Sequence, residues 1–281
     1  MRVSIITPCL NARGDLPLAA ASLTDQKGVV VEHIVADGGS SDGTLAWLES
    51  YPGIRWFSGS DRGMYDALNK GLAMAGGDIL GYLNCDEQYL PGALSTVVSF
   101  FDEHPDVDLV YGNMLVVGRD GRLLAFRKSY PLRLPYVLAS HLYVPSCALF
   151  WRRRIVDSGL QFDPSWRAQG DADFIVRVMQ SGFRTMHLPR YLAAFTMGHD
   201  NLGNRPVARS EMVRARRAAS RWIRWFRWGW NGARLVEKAV AGAYRERFPL
   251  DYAIFTHERA GARTSFSARA GTSRWPMPGT E

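Results

Sequence analysis

Cysteine and long apolar runs are scarce in this sequence of 281 residues. Its three cysteines, Cys9, Cys85 and Cys147, lie far apart and in no CxxC or His-paired spacing. We therefore expect reduced thiols, with neither a disulfide framework nor a zinc site. No uninterrupted apolar stretch reaches about 18 residues, and Pro8 comes too early for the apolar core of a signal peptide. These absences predict a cytoplasmic protein without a transmembrane helix.

Two nucleotide-binding motifs are also missing. The loop after the first predicted strand, residues 8–14, reads PCLNARG and contains no GxGxxG, which disfavours a classical dinucleotide-binding fold. The phosphate-binding pattern GxxxxGK[ST] does not occur either, nor does the zinc-protease pattern HExxH. Any nucleotide must therefore be bound by other means.

The basic charge is confined to the C-terminal quarter of the chain. The net charge is +7, but residues 1–205 contain 19 Lys and Arg against 21 Asp and Glu. Residues 206–281 contain 15 against 6. Because the body is slightly acidic, we expect no nucleic-acid partner, and any polyanion should meet the tail.

Segments of strand length alternate with helical patterns through the first two hundred residues. The predicted strands are 3–7, 33–36, 55–58, 78–83, 109–117, 123–128 and 191–196, and the predicted helices are 16–26, 44–50, 64–75 and 91–101. A turn at 118–121, with the sequence GRDG, predicts a hairpin between two of the strands. This order predicts an α/β fold with a mainly parallel central sheet flanked by helices.

Polar side chains follow three of these strands at the point where each ends. They are Asp37, Asp61 and the segment 84–87, which reads NCDE. Ligands of such sheets bind beyond the carboxyl ends of the strands. Each acid could instead cap the helix that follows it. Carboxylates gathered on one edge nevertheless repel each other unless a cation neutralises them, which predicts a divalent ion with oxygen ligands.

The succession of motifs over about residues 1–200 resembles family 2 glycosyltransferases with a GT-A fold. The segments that carry the resemblance are 4–11 (SIITPCLN), 35–44 (VADGGSSDGT), 60–71 (SDRGMYDALNKG), 82–87 (YLNCDE) and 170–174 (GDADF). The resemblance implies a nucleotide-sugar donor carrying UDP, GDP or dTDP. It also implies Mn²⁺ or Mg²⁺ as cofactor.

The resemblance implies nucleotide contacts from four residues. Pro8 and Leu10 would lie beside the nucleotide, Asp37 would accept a hydrogen bond from the base, and Asp61 would be a second acidic contact. A carboxylate suits this role because uracil and guanine present N–H donors.

The resemblance places the metal at Asp86, in the segment where the family has its DxD motif. Asn84 stands at the first position of that motif, so one charged oxygen is missing, and Asn84 is retained as a sugar or acceptor contact. His199 follows the predicted strand 191–196 and is a candidate second ligand. The alternatives are that Asn84 and Asp86 close a turn and that His199 is simply exposed.

The resemblance assigns the catalytic base to Asp171, while Gly170 replaces the usual glutamate. Asp173 and Trp166 are candidate acceptor or sugar contacts. Alternatively, Asp173 stabilises the helix N-terminus or exchanges roles with Asp171, and Trp166 belongs to the core.

The tail from Arg209 to Trp230 has the pattern of one amphipathic helix. Its apolar side contains Met212, Ala215, Ala219, Trp222, Ile223, Phe226 and Trp230, and its basic side contains Arg214, Arg217, Arg221 and Arg224, with Trp225 and Trp228 on the polar flank. This pattern predicts contact with an anionic membrane surface, and hence a peripheral location on the inner face of the plasma membrane. The alternative is a helix packed on the catalytic domain. We expect a GT-A domain over 1–205, a helical extension over 206–248 and a disordered tail over 249–281.

Residues 221–225 also match the RxxRW pattern of processive polysaccharide synthases. The segment is rich in both residue types, and the sequence has none of the transmembrane helices of those enzymes, so we expect a single addition. The favoured function is an inverting, metal-dependent transfer of one sugar to a hydroxyl of a glycan or lipid-linked glycan. The alternatives are a sugar nucleotidyltransferase and a catalytically idle adaptor at a membrane surface, the latter suggested by Gly170 and Asn84.

Overall fold

A computed structural model describes residues 1–198, 206–218 and 220–276. The strands are β1 (Arg2–Cys9), β2 (Val30–Asp37), β3 (Ile54–Ser58), β4 (Ile79–Tyr82), β5 (Glu87–Tyr89), β6 (Leu109–Val117), β7 (Leu123–Arg127), β8 (Leu149–Arg152), β9 (Thr185–Thr196), β10 (Leu250–Thr256) and β11 (Arg259–Ala268). The helices are α1 (Leu16–Thr24), α2 (Thr44–Ser50), α3 (Met64–Met74), α4 (Ala93–Glu103), α5 (Leu134–Ala139), α6 (Arg154–Asp157), α7 (Gly170–Gln180), α8 (Pro206–Ala218), α9 (Arg221–Trp225) and α10 (Arg227–Val240), with a 3₁₀ turn at Ser146–Ala148.

The predicted α/β fold is confirmed, but its central sheet is mixed. Nine strands run in the order β3-β2-β1-β4-β8-β6-β9-β5, with β7 paired to β6. The pairs β1–β2, β2–β3, β1–β4 and β6–β9 are parallel, whereas β4–β8, β6–β8, β6–β7 and β5–β9 are antiparallel. The expectation of a mainly parallel sheet therefore holds for β1 to β4, whereas among the remaining pairs only β6–β9 is parallel. The predicted hairpin around residues 118–121 joins β6 and β7.

Apolar residues fill both faces of the sheet. Neighbouring residues of one strand contribute to opposite faces of the sheet, because successive side chains of a strand point in opposite directions. Ile5 packs with the residues of α1 and α4, while Ile6 packs with those of α3 and α7. Both side chains are fully buried. This two-sided burial explains why the strands are almost continuously apolar.

The parallel register of the first strands creates the edge at which the cleft opens. Cys9 at the end of β1 lies opposite Asp37 at the end of β2, and Ser58 at the end of β3 also pairs with Asp37. Ile6 of β1 pairs with Tyr82, where β4 ends. The loops that follow these four strands therefore emerge on the same side of the sheet.

The expectation of disorder over 249–281 is wrong for most of that segment. Strands β10 and β11 form an antiparallel hairpin, in which Tyr252 and Ile254 are buried. They pack against Leu115, Val117 and Phe126 of the large sheet. The prediction relied on the high Ala, Gly and Ser content. The segment also contains a short alternation of apolar residues, which forms strands because those residues can pack against this sheet.

The basic segment from Arg209 to Trp230 does not form the single helix that was predicted for it. It forms three helices, since Ser220 has an extended backbone and Phe226 separates α9 from α10. Ile223 and Trp230 pack on α5, whereas Trp222 and Phe226 are more than half exposed. Among the described residues, no helix is both long and apolar enough to cross a bilayer.

We expect Gln88→Ala to loosen the C-terminal hairpin. The Gln88 amide donates to the Phe255 carbonyl over 2.9 Å and accepts from the Phe255 N–H over 2.8 Å, and both partners are buried. Truncation leaves those backbone groups without partners, which should lower the free energy of unfolding by about 1 to 3 kcal/mol. Denaturant unfolding measures this change, with the exposed Glu258→Ala as control. Equal stability of the two variants would contradict the expectation.

Candidate active site

A cleft of about 750 Å³ opens at the carboxyl edge of the sheet. Six predicted site residues line it: Pro8, Leu10, Asp61, Asn84, Asp86 and Asp171. They come from the loops after β1, β3 and β4 and from the start of α7. Residues more than 160 positions apart in sequence thereby share one cleft.

The first wall of the cleft is formed where β1 ends. Pro8 is buried at the base of the wall, whereas Leu10 is 61% exposed. The turn that follows is fixed to the loop after β2, because the Asn11 N–H donates to Ser40 Oγ over 2.7 Å. In return, Asn11 Oδ1 accepts from the Ser41 N–H over 2.9 Å. These contacts hold an apolar wall of the cleft rigidly in place.

Asp61 lies in the loop that leads to α3. Its Oδ1 accepts a hydrogen bond from the Gly63 N–H over 2.7 Å. Its Oδ2 lies 2.7 Å from the point that a Cβ would occupy on Gly38. Only glycine at position 38 therefore lets the carboxylate take this position beside the loop after β2.

Asp37 is placed differently from the other acids. Its carboxylate is almost fully buried and does not line the cleft. It accepts hydrogen bonds from the N–H groups of Gly39 and Ser40 and from the hydroxyls of Ser40 and Ser58. Burial opposes ionisation, but these bonds outweigh it and lower the pKa of Asp37. Asp37 thus organises the turn after β2, and its contact with a nucleotide base stays a prediction.

Asn84, Asp86 and Glu87 form the acidic floor of the cleft. Glu87 is buried and accepts the Asn84 N–H over 2.7 Å. Burial raises the pKa of Glu87 to about 8, and the charge of Asp86 adds to this. Burial also raises the pKa of Asp86 to about 6, with a contribution from Asp15. The surroundings of the floor therefore disfavour negative charge on these two carboxylates.

Asp171 stands in the first turn of α7 and is half-buried. Its Oδ1 accepts the Ala172 N–H over 2.8 Å. Burial raises its pKa to about 6, although a hydrogen bond from Tyr65 opposes the shift. The charge of Asp171 also contributes to the raised pKa of Glu87, so this side of the cleft and its floor interact electrostatically.

A steric contact accounts for Gly170. A Cβ on this residue would lie 2.6 to 2.8 Å from three ring carbons of Tyr65. Tyr65 is buried and packs on Phe162, with ring centroids 5.7 Å apart. A glutamate cannot occupy position 170 while the ring stays there. The departure from the usual acid therefore reflects packing beside Asp171.

Glu211 of α8 is a residue that no sequence motif singled out. It is buried, and its carboxylate accepts the N–H groups of Arg167, Ala168 and Gln169 over 2.7, 2.9 and 3.0 Å. These three residues immediately precede α7. Glu211 thus fixes the backbone that delivers Asp171 to the cleft, and its charge contributes to the raised pKa of Asp171.

Two predicted contacts lie outside the cleft, and we correct their assignments. Trp166 is only 6% exposed, and the Arg214 guanidinium covers its ring at 4.2 Å from the centroid. Asp173 forms an ion pair with Arg177 over 2.7 Å. Asp173 is two residues beyond Asp171, or about 200° around the helix, and so faces away from the cleft.

Trp275 is the aromatic side chain that does reach the cleft from the C-terminal segment. The chain is held there because the Thr272 carbonyl accepts the Phe126 N–H, and the Ser273 carbonyl accepts Arg127, both over 2.9 Å. The ring centroid of Trp275 lies 5.7 Å from that of Phe195. The sequence signal that could have indicated Trp275 was a single tryptophan in a segment otherwise rich in small and polar residues.

The donor set of the cleft floor fits a hard divalent cation in part. Asn84 and Asp86 present oxygen atoms, and a cation would stabilise the ionised form of Asp86, which burial disfavours. In the described ranges, no three His, Cys, Asp or Glu side chains are grouped closely enough to hold a metal. His199, the other predicted ligand, lies outside the described residues. Magnesium commonly completes such a site with substrate phosphates.

Comparison with known proteins establishes the class. A model of the family described as Glycosyl transferase family 2 matches residues 4–209, so the chain belongs to this family. The chain is similar to the PGL/p-HBAD biosynthesis glycosyltransferase of Mycobacterium bovis (strain BCG / Pasteur 1173P2). The two are 32% identical over 180 residues, covering 62% of this chain and 68% of the relative. The protein is thus a nucleotide-sugar-dependent glycosyltransferase, which sets aside the nucleotidyltransferase alternative.

Solved structures share the fold. Staphylococcus aureus TarS 1-349 in complex with UDP superposes with a TM-score of 0.61 at 21% identity, over 76% of this chain and 64% of that one. The chain thus spans less than two thirds of that structure. The mannosyltransferase PcManGT from Pyrobaculum calidifontis, in complex with GDP-Man and Mn²⁺, gives a TM-score of 0.50 at 18% identity, over 86% and 76% of the two chains. The GT-A fold predicted from the motifs is confirmed.

We expect removal of the Glu211 carboxylate to impair catalysis through Asp171. Glu211→Gln loses the negative charge and one of two acceptor oxygens, so the segment 167–169 should shift. The expected result is a fall in kcat of about tenfold or more, because small displacements of a catalytic group are costly. Removing the charge should also move the acid limb of the pH profile of kcat/KM to lower pH.

The control is Ser210→Ala on the exposed side of the same helix, which should retain normal kcat. A Glu211→Gln enzyme with unchanged kcat and an unchanged acid limb would contradict this role.

Proposed function

We propose that this glycosyltransferase is an inverting, metal-dependent enzyme. It transfers a single sugar from a nucleotide donor to a hydroxyl of a glycan or lipid-linked glycan. The observation that carries the proposal is that Asp86 and Asp171 line the same cleft, each with a pKa raised by burial to about 6. An acidic floor and a separate carboxylate base are the two groups that the reaction requires.

Asp171 acts as the general base. A hydroxyl has too high a pKa to attack unaided, so its proton passes to a carboxylate oxygen of Asp171 as the hydroxyl oxygen bonds to the anomeric carbon. The bond from that carbon to the diphosphate breaks on the opposite side, which inverts the configuration. The Ala172 N–H and Tyr65 orient the carboxylate, while Glu211 holds the loop before it.

The donor nucleotide occupies the part of the cleft lined by Pro8, Leu10 and Asp61. The exposed Leu10 side chain offers an apolar surface to a base, and Asp61 offers an acceptor to N–H or hydroxyl groups. Structural neighbours in complex with UDP, UDP-GlcNAc and GDP-Man support a nucleotide-sugar donor.

Asn84 and Asp86 would hold Mn²⁺ or Mg²⁺ at the floor of the cleft. When bound, such an ion supplies Lewis-acid stabilisation of the negative charge that develops on the departing diphosphate. The Mn²⁺ in the PcManGT complex supports this assignment. Glu87, the buried member of the floor, supports the loop by accepting the Asn84 N–H.

The acceptor enters the cleft beside Leu142, Val144 and Trp275, whose side chains bring apolar surface to it. Trp275 is about one third exposed and offers a ring on which a sugar can stack.

We assign the enzyme to the cytoplasm, at the inner surface of the plasma membrane. The exposed aromatic and basic side chains of α9 and α10 support this location.

Asp171→Asn should stop transfer while leaving donor binding intact. The amide cannot accept the proton, so we expect kcat to fall by about 10²- to 10⁴-fold with a nearly unchanged donor Kd. For the native enzyme, the raised pKa means that Asp171 is protonated and inactive below about pH 6. The rate should therefore rise with pH through this value and level off above it.

The matched control is Asp173→Asn, two residues along the same helix, which should keep near-normal transfer. If Asp173→Asn lost activity and Asp171→Asn kept it, the base assignment would be wrong. Initial rates and isothermal titration with a UDP-, GDP- and dTDP-sugar panel provide both measurements.

Asp86→Ala should remove metal-dependent turnover. We expect the native enzyme to lose activity in a chelator and regain it with Mn²⁺ or Mg²⁺, whereas the variant should remain roughly 100-fold or more below it. Asp102→Asn, on the exposed face of α4, is the control and should respond like the native enzyme. Full activity of the native enzyme in chelator would contradict the metal requirement.

A further inference from the structure

A second cavity lies among α5, α8, α9 and α10, and it shares no lining residue with the catalytic cleft. Its volume is about 310 Å³. Its walls combine apolar and basic side chains: Leu138, Ala139 and Val213 with Arg216, Arg224 and Arg227. An opening that is apolar and cationic at once suits a ligand with a hydrocarbon part and an anionic head.

The charges of Arg216 and Arg227 have little compensation from carboxylates in the described part of the chain. Within the described ranges, neither Arg216 nor Arg227 forms an ion pair with a carboxylate. Arg216 donates to the Ser140 carbonyl from Nε over 3.2 Å and from Nη2 over 2.9 Å, and the Nε of Arg227 is buried without a hydrogen-bond partner. Burial and the charge of Arg227 lower the pKa of Arg216. Two guanidinium groups arranged in this way are ready to receive an anion.

The positive field extends toward the acceptor side of the catalytic cleft. His141 adjoins Leu142, which lines that cleft. Burial lowers the pKa of His141 to about 4, and the nearby charges of Arg234, Arg127 and Arg216 contribute. Arg216 lines the cavity and its charge reaches His141, so the cavity lies on the side of the cleft that Leu142 lines.

The helices that form the cavity also present an exposed aromatic surface. Ile223 is 4% exposed and packs on Ala139, and Trp230 packs on Tyr136 with centroids 6.4 Å apart. These contacts anchor α9 and α10 and direct other aromatic side chains outward. The aromatic ridge comprises Trp222, Trp225, Phe226 and Trp228, of which Trp225 and Trp228 are more than 80% exposed. Tryptophan beside arginine is typical of a membrane interface.

We propose that this cavity binds the phosphate group of a membrane lipid, with the aromatic ridge inserted among the neighbouring lipids. The N–H groups of Arg227, and those of Arg216 that do not bind Ser140, match phosphate oxygens, while Leu138 and Val213 contact the hydrocarbon next to the headgroup. Docking in this way holds the acceptor side of the cleft against the membrane surface. The proposal does not depend on the assignments of the catalytic base or the metal.

The test is co-sedimentation of the full chain with two kinds of vesicle, phosphatidylcholine alone and phosphatidylcholine with phosphatidylglycerol. We expect the native protein to bind the second kind and hardly the first. The double variant Arg216→Gln, Arg227→Gln should need about tenfold or more lipid for half-binding. The control Arg245→Gln, Arg269→Gln removes two exposed charges from elsewhere in the tail and should bind like the native protein.

Two further arms distinguish a lipid phosphate from unspecific charge attraction and from free phosphate. The variant Arg216→Lys, Arg227→Lys keeps the charge and loses the forked geometry, so it should bind less tightly than the native protein. It also provides the measurement if the glutamine variant does not fold, as judged by circular dichroism. Binding of both cavity variants equal to that of the control would overturn the proposal. Thermal stabilisation by inorganic phosphate without any vesicle binding would overturn it too, since free phosphate would then be the ligand.

Discussion

The burial of carboxylates at the carboxyl edge of the sheet is the constraint to which the rest of the cleft is adapted. The parallel register of the first strands brings their loops to one edge, where Asp61, Asp86 and Glu87 meet. The start of α7 adds Asp171. Burial and mutual charge raise the pKa values of Asp86, Glu87 and Asp171. Such a cleft is electrostatically complementary to a cation and to donors that carry N–H groups.

The C-terminal part of the chain is structurally part of this cleft and not an appendage. Glu211 of α8 accepts hydrogen bonds from the three backbone N–H groups that precede α7, and Trp275 forms part of the cleft wall. The hairpin β10–β11 covers the sheet through Gln88 and Phe255. Helix α8 therefore helps to place the start of α7, which carries Asp171.

The cleft and the second cavity carry charges of opposite sign. The cleft floor is acidic, whereas the second cavity and its surroundings are basic, with Arg216 and Arg227 free of carboxylate partners in the described part of the chain. The net charge of +7 hides this division. Because exposed charges are screened over about 8 to 10 Å at physiological ionic strength, each opening presents its own sign to an approaching ligand. A cationic surface also favours an anionic membrane.

Local sequence patterns were enough to predict the α/β alternation, the loops that carry Asp61, Asp86 and Asp171, and the family. Periodicity and motif spacing are local, and short connections keep the motifs close to their strands. Long-range packing, by contrast, buries Trp166 outside the cleft and brings Glu211 and Trp275 into its construction. Packing also orders the C-terminal hairpin and breaks the basic helix. Those outcomes depend on which surfaces meet across long sequence distances, such as Gly170 against Tyr65, and no local pattern encodes such contacts.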